Sequence, residues 1–340
     1  MKFNILSIDG GGLRGLVPLI MLERVLQLAG KTSVSECFDL IAGTSTGGII
    51  ACALSLKDKN GEHTYTIESI KDLYINNGSK IFNKETSSVI PYFYPKYRTD
   101  GFYQVLGEFF KDYKLSDCKT PLLISAYEIS SFKPYYYVSR SLNPTSNYEK
   151  ERINFNLTEI CKSTSAAPTY FPSHHFTVLD NQNQSQSTLH HIDGGVFINN
   201  PSLAALTEVL SNSNDSFYKK LNKAAIELNN IHVLSLGTGF SAKSISEKQG
   251  RKWGQIKWAK NLFDIMMQGN SQEVHNQIKA ILKKENYLRL NILLDKESSE
   301  MDDSTKLTRE TIIKLINKNI INNQMETDRI VKYLTDAGII

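Results

Sequence analysis

Cysteine is scarce in this sequence and scattered. Its 340 residues hold four, Cys37, Cys52, Cys118 and Cys161, with no CxxC pair. That excludes a disulfide framework and leaves Cys37 and Cys52, set in apolar stretches, to act as small reduced hydrophobes. Long apolar runs are missing as well, and no uninterrupted run reaches bilayer-spanning length. The chain enters a strand at its N-terminus, which leaves no room for the basic and apolar regions of a cleaved signal. A strong charge of either sign is also lacking. The formal net charge of +4 is too small to argue for a nucleic-acid polymer as partner. A mildly basic surface is still compatible with anionic lipid headgroups. No internal repeat is present. The expectation is a cytoplasmic protein, or one exported without a cleaved signal, that meets a membrane only peripherally.

What is there is a globular composition, 41% hydrophobic, enough for one large domain or two unequal ones. Strand and helix patterns alternate. "FNILSI" is followed by "LVPLIMLERVLQLA" with helical spacing, then by "CFDLIAG" and "GGIIACALSL". This βαβα order predicts an α/β protein with a mostly parallel central sheet. Further strands are predicted at "TPLLISAYEI", "KPYYYVS", "LHHIDGG", "IHVLSLGTG" and "YLRLNILL". Two stretches leave the sheet. "NKETSSVIPYFYPKYRTDG" either walls a pocket or is a surface loop anchored by Tyr92, Phe93 and Tyr94; "DNQNQSQS" reads as a loop. Two C-terminal helices follow, the second with Leu307, Ile312, Leu315 and Ile316 near one face. Core packing is the ordinary use of such stripes, with a membrane surface as the other.

Two glycine-rich turns carry the chemistry. Gly10 to Gly15, after the first strand, fits the dinucleotide fingerprint G-x-G-x-x-G, yet glycine N–H groups converge as well on a transition-state oxyanion. The dinucleotide reading needs an acidic residue at the end of the second strand, where Ala42 and Gly43 stand; Asp39 lies near that strand's beginning. Gly43-Thr44-Ser45-Thr46-Gly47 fits G-x-S-x-G between a strand and a helix. Small residues at Gly43 and Gly47 permit a strained turn that presents the Ser45 hydroxyl over the positive end of the following helix. In a parallel sheet both turns open at one carboxyl edge, so a nucleophile and free N–H donors face one space. Asp193, at a strand end before Gly194 and Gly195, reads either as a turn former or as the base for Ser45.

Taken in order, "DGGGLRG" at Asp9–Gly15, "GTSTGG" at Gly43–Gly48, "SAAPTYFP" at Ser165–Pro172, "DGGVFINNP" at Asp193–Pro201, "SLGTG" at Ser235–Gly239 and the late "YLRLN" strand resemble the patatin-like phospholipases, lipid acyl hydrolases with a Ser-Asp dyad. The resemblance implies a three-layer patatin-like fold with helices on both faces of the sheet. It spans one domain over 1–340, with a core of about 3–240 and C-terminal elements of about 250–340 packed on it. It implies Ser45 as nucleophile, Asp193 as base, and an oxyanion hole at Gly11 and Gly12 with Arg14 beside it. It brings an acyl-lipid substrate, no cofactor and no catalytic metal. Some bacterial members act as antiphage effectors switched on by cyclic nucleotides, and the short single-domain build is compatible with that. Lys96, Arg98, Lys133 and Arg140 could contact phosphate, with surface charge as their default reading. The pairs His174-His175 and His190-His191 raise a metal site, but strand neighbours point to opposite faces. Two alternatives remain: a Ser-His-Asp esterase using His232 or His275, and a non-catalytic lipid- or nucleotide-binding module.

Overall fold

The computed structural model describes residues 2–58, 60–83, 94–146, 153–179, 186–221, 226–241, 244–295 and 298–340. Among them the strands are β1 (Phe3–Ile8), β2 (Leu40–Thr44), β3 (Leu122–Glu128), β4 (Lys133–Val138), β5 (His174–Leu179), β6 (Gln186–Asp193), β7 (Ile231–Leu236), β8 (Phe240–Ser241), β9 (Tyr287–Leu290) and β10 (Leu293–Leu294). The α-helices are α1 (Leu16–Ala29), α2 (Thr46–Ser55), α3 (Ile67–Ile81), α4 (Asp100–Phe110), α5 (Leu157–Thr164), α6 (Ser202–Ser211), α7 (Ser216–Leu221), α8 (Glu247–Gly250), α9 (Gln255–Ile281), α10 (Lys306–Ile316) and α11 (Gln324–Asp336).

Period-two alternation along the central strands divides the interior into two cores. On β1, Phe3 and Ile5 enter one core with α6, α7 and the C-terminal half of α9, while Leu6 and Ile8 enter the other with α1 to α5, α10 and α11. β7 divides the same way, Ile231 and Val233 to one side and Leu234 and Leu236 to the other. The result is three layers, helices on both faces of a mixed, mostly parallel sheet. β3, β2, β1, β7 and β9 run parallel; β4, β5 and β6 depart from that order by antiparallel pairing.

The sheet departs from the sequence reading on one side. "DNQNQSQS" is not all loop, because Gln186 and Ser187 begin β6, which pairs with β5 from His174↔His191 to Leu179↔Gln186. Residues 180–185 lie outside the described residues. β5 is not among the strands expected, although Phe176, Thr177 and Val178 suit a strand and alternate; it pairs with β6 along its whole length. "YLRLNILL" divides into β9 in the main sheet and β10 in a small ladder with β8. The face expected on the last predicted helix is corrected too, since Ile312 and Ile316 are buried but Leu307 is 69% exposed. Among the described residues no helix is long and apolar enough to cross a membrane.

Candidate active site

β2 ends at Thr44, and Ser45 turns the chain into α2 with φ 54° and ψ −124°. A non-glycine residue at positive φ stores about 1–3 kcal/mol and persists only where its surroundings hold it. Here the Ser45 N–H donates to Thr164 Oγ1 at 2.8 Å, and its carbonyl accepts from Gly48 and Ile49 N–H at 2.9 and 3.1 Å. The strain thus sits on Ser45 itself. The flanking glycines serve close approach: a Cβ on Gly47 would lie 2.2 Å from the Ile8 carbonyl oxygen, and one on Gly43 would lie 2.3 Å from that of Gly47. With β1, β2 and α2 drawn together in this way, Ser45 stands at the helix N-terminus, 7% exposed.

Asp193 reaches the same point through β3. Since β4 pairs with β3 along Leu123–Glu128, β2 and β6 must share its other edge. β2 runs parallel up to Thr44↔Ser125; β6 runs antiparallel down to Ala126↔Asp193. Two strand ends therefore meet head-on at successive residues of β3, bringing Ser45 and Asp193 into one cavity. Asp193 is fully buried; its N–H donates to Ala166 O at 3.0 Å and its Oδ1 accepts from Gly195 N–H at 2.7 Å. Oδ2 is buried without a hydrogen-bond partner, and the Ser45 hydroxyl lies close enough to the carboxyl to favour its charged form. Burial pushes the carboxyl up from 3.8 to about 7, and the Ser45 hydroxyl and Gly195 N–H pull it back only in part.

The glycine loop after β1 is held from several directions. Gly10 N–H donates to Asn199 O at 3.2 Å, Thr238 Oγ1 donates to Gly10 O at 2.6 Å, and Leu13 N–H donates to Met301 O at 2.8 Å. Gly12 has φ +59°, and a Cβ there would lie 2.4 Å from Met301 O. Among the described residues the N–H groups of Gly11 and Gly12 donate to no protein acceptor. Arg14 does not line the Ser45 cavity: its guanidinium donates to Gly11 O at 3.3 Å and Ser299 O at 3.1 Å, bracing the loop from behind. Gly15 packs on Thr46 and Tyr74, and Gly194 on Ser125.

One contact that sequence reading missed anchors the loop at its start. Asp9 takes two charge-assisted bonds from Arg289 on β9, at 2.7 and 2.5 Å, and a third bond from Ser271 on α9. Arg289 also donates to Ser235 on β7 at 2.7 Å. Burial works against the guanidinium charge, but Asp9 more than restores it and its pKa is raised. "YLRLN" is the only signal, and nothing local to it names Asp9 as the partner.

The Ser45 cavity is apolar, with Tyr74, Phe82, Phe102, Phe171, Phe263 and Met267 among its walls. Its volume is about 60 Å³, well under the ~300–1,000 Å³ of an occupied ligand site, so it is narrow. The cover is a separate small cluster, Phe263, Met267 and Met301. The aromatic excursion leaves at Phe82 and returns at Phe102, both in the wall; Tyr92 and Phe93 lie outside the described residues, and Tyr94 is exposed. "SAAPTYFP" contributes Ser165, Ala167, Tyr170 and Phe171. A larger cleft of about 1010 Å³ lies beyond the loop, lined by Arg14, His275 and Arg289, and contains neither Ser45 nor Asp193.

Among the described residues no histidine lines the Ser45 cavity. His232 is buried against Tyr333 with its pKa pushed down to about 4 by burial, and His275 bonds the Tyr287 hydroxyl at 3.0 Å. His174 meets Glu159 at 2.6 Å and His191 meets Tyr137 at 2.8 Å, and among the described residues no cluster fit to hold a metal ion forms. Lys96, Arg98 and Arg140 are paired with Asp302, Asp100 and Glu208.

Comparison with known proteins identifies the family of the chain. The family described as "Patatin-like phospholipase" matches residues 6–206. Patatin-like protein 1 of Arabidopsis thaliana is 31% identical over 99% of this chain and 84% of its own length. Patatin-11 of Solanum tuberosum is 28% identical over 98% of this chain and 90% of its own. Among solved structures, VipD from Legionella pneumophila overlaps 97% of this chain and 66% of its own with TM-score 0.42 at 11% identity.

Proposed function

The chain belongs to the patatin-like phospholipase family of lipid acyl hydrolases, and on that premise we propose that Ser45 and Asp193 form a catalytic dyad cutting the acyl esters of glycerophospholipids. The observation that carries the reading is the head-on meeting of β2 and β6 on β3, which sets a strained serine against a buried carboxylate. Ser45 Oγ attacks the acyl carbonyl as Asp193 takes its proton. The negative charge that develops on the carbonyl oxygen is received by Gly11 and Gly12 N–H, with the N-terminus of α2 favouring the anionic path. Collapse expels the lysolipid alcohol, which takes the proton from Asp193. Water then attacks the acyl-Ser45 ester, giving its proton to Asp193, and the fatty acid leaves as Ser45 is reprotonated. The apolar cavity suits an acyl chain.

The whole chain acts as one domain in this reading, because the Asp9–Arg289 pair ties the C-terminal part to the loop at the start. It works from the cytoplasm at a membrane surface. The antiphage role and its cyclic-nucleotide trigger draw no support from relatives that come from plants; comparing hydrolysis with and without a panel of cyclic nucleotides tests them. A strained serine facing a base also argues against a purely binding module.

A fluorophosphonate probe is expected to label wild-type protein at Ser45 and to leave Ser45→Ala unlabelled. Mass spectrometry of products from mixed phospholipids should show free fatty acid and lysolipid with the first protein only. Labelling that persists in Ser45→Ala defeats the reading.

A further inference from the structure

α9 is apolar on two opposite sides over only part of its length. Phe263, Met267, Val274 and Ile278 follow one stripe, buried first over the Ser45 cavity and then in the core. Trp258, Leu262, Ile265 and Met266 follow a second stripe roughly on the other side of the helix. They are 40%, 48%, 41% and 37% exposed. Farther along, the outer side turns polar at Glu273, Asn276 and Gln277. The outer face is thus apolar only where the helix covers the catalytic cavity. A globular helix normally buries one stripe, and a contiguous exposed patch beside a site marks a place of contact.

Charge names the contact. Lys248, Arg251, Lys252 and Lys257, all exposed, lie in the segment 247–258 that leads into the stripe, against one carboxylate, Glu247. Beside α9, the β8–β10 ladder is joined to it by Ser241 N–H donating to Gln268 Oε1 at 3.3 Å and adds exposed Phe240 and Leu293. Cations flanking an apolar helical stripe with a tryptophan suit the headgroup and acyl boundary of an anionic bilayer. We propose that the N-terminal half of α9 with its basic lead-in is the surface by which this protein docks on anionic lipid membranes, placing the covered cavity against the bilayer. The identity of the substrate rests on the dyad reading above; the docking surface does not.

The test uses the full chain in the Ser45→Ala background for binding and active protein for turnover. Vesicles of phosphatidylcholine alone and with phosphatidylglycerol are sedimented with wild type, Leu262→Glu/Ile265→Glu and Arg251→Glu/Lys252→Glu. Wild type is expected to bind the anionic vesicles, less so as salt rises. Each double variant should bind about tenfold less or worse. Vesicle hydrolysis should fall in step, while hydrolysis of a soluble short-chain ester, which also reports folding, stays unchanged. Vesicle binding equal to wild type in both variants overturns the proposal. So does a solution dimer that Leu262→Glu/Ile265→Glu breaks while vesicle binding persists. Absence of ester hydrolysis in every protein would defeat the dyad reading alone, because binding is read without catalysis.

Discussion

Asp193→Asn is expected to lose about a hundred- to ten-thousandfold in kcat/KM, the usual worth of a general base, and to gain stability at the same time. The gain follows from burial. The carboxyl is raised from 3.8 to about 7, so the folded chain holds a proton that the unfolded chain gives up. Stability from this group is therefore highest near pH 4 and falls as pH rises to about 7, above which the full cost of a buried carboxylate is present. Every tenfold weakening of the acid on folding corresponds to about 1.4 kcal/mol. Asparagine carries no such cost. Melting temperatures should show the variant above wild type at pH 8, with the difference narrowing from pH 7 towards pH 4. Activity should rise with pH through about 7 as Asp193 becomes able to accept the Ser45 proton. An imidazole titrates in the same range, so the profile alone does not identify the base. Two further measurements do: the inflection should shift little with temperature, as a carboxyl does, and His232→Ala and His275→Ala should keep substantial turnover wherever they fold. A folded histidine variant as inactive as Asp193→Asn would replace the dyad by a triad.

The two turns that frame this chemistry are legible in the sequence because each is local. Gly10 to Gly15 and Gly43 to Gly47 each place glycine where backbone must approach backbone, as the contacts a Cβ on Gly47 would make with Ile8 show. Alternation along "FNILSI" and "IHVLSL" likewise marks buried parallel strands, and their division between two cores follows from period two. What the residues do not announce is pairing at a distance. The register of β5 is set by β6 returning beside it, and Asp193 meets Ser45 because both strands end on neighbouring residues of β3. The inner stripe of α9 follows an ordinary helical pattern, whereas its outer stripe becomes informative only when the structure leaves it uncovered. Arg14 shows the limit from the other side: its place beside the glycines is readable, but its turn away towards Ser299 depends on a segment nearly three hundred residues later.

Arg289 carries that dependence furthest, and its replacement by Met is expected to damage stability and catalysis together. The residue lies outside the 6–206 stretch that the family description matches, yet it holds Asp9, the residue that leads into the glycine loop. Removing it leaves the Asp9 carboxylate, 3% exposed, without its cation, and breaking a buried pair from one side costs about 3–5 kcal/mol. Denaturant unfolding should report a loss of that size. Lys in place of Arg keeps the charge but gives up the fork that meets both Asp9 oxygens while reaching Ser235, so Arg289→Lys should fall between. The pair Asp9→Asn/Arg289→Met separates the two effects. With neither charge left in the interior, most of the stability should return, since the larger part of the single-variant cost is the orphaned carboxylate. Catalysis should not return with it: the Gly11 and Gly12 N–H groups then hang from a loop without its tether, and a misplaced oxyanion donor costs up to about a hundred- to a thousandfold in kcat. KM for a soluble ester should move far less than kcat, because the acyl cavity is walled mainly by other segments. A double variant that recovers stability and full turnover together would show that the pair only holds the fold, and that the loop keeps its geometry through Thr238, Asn199 and Met301 alone.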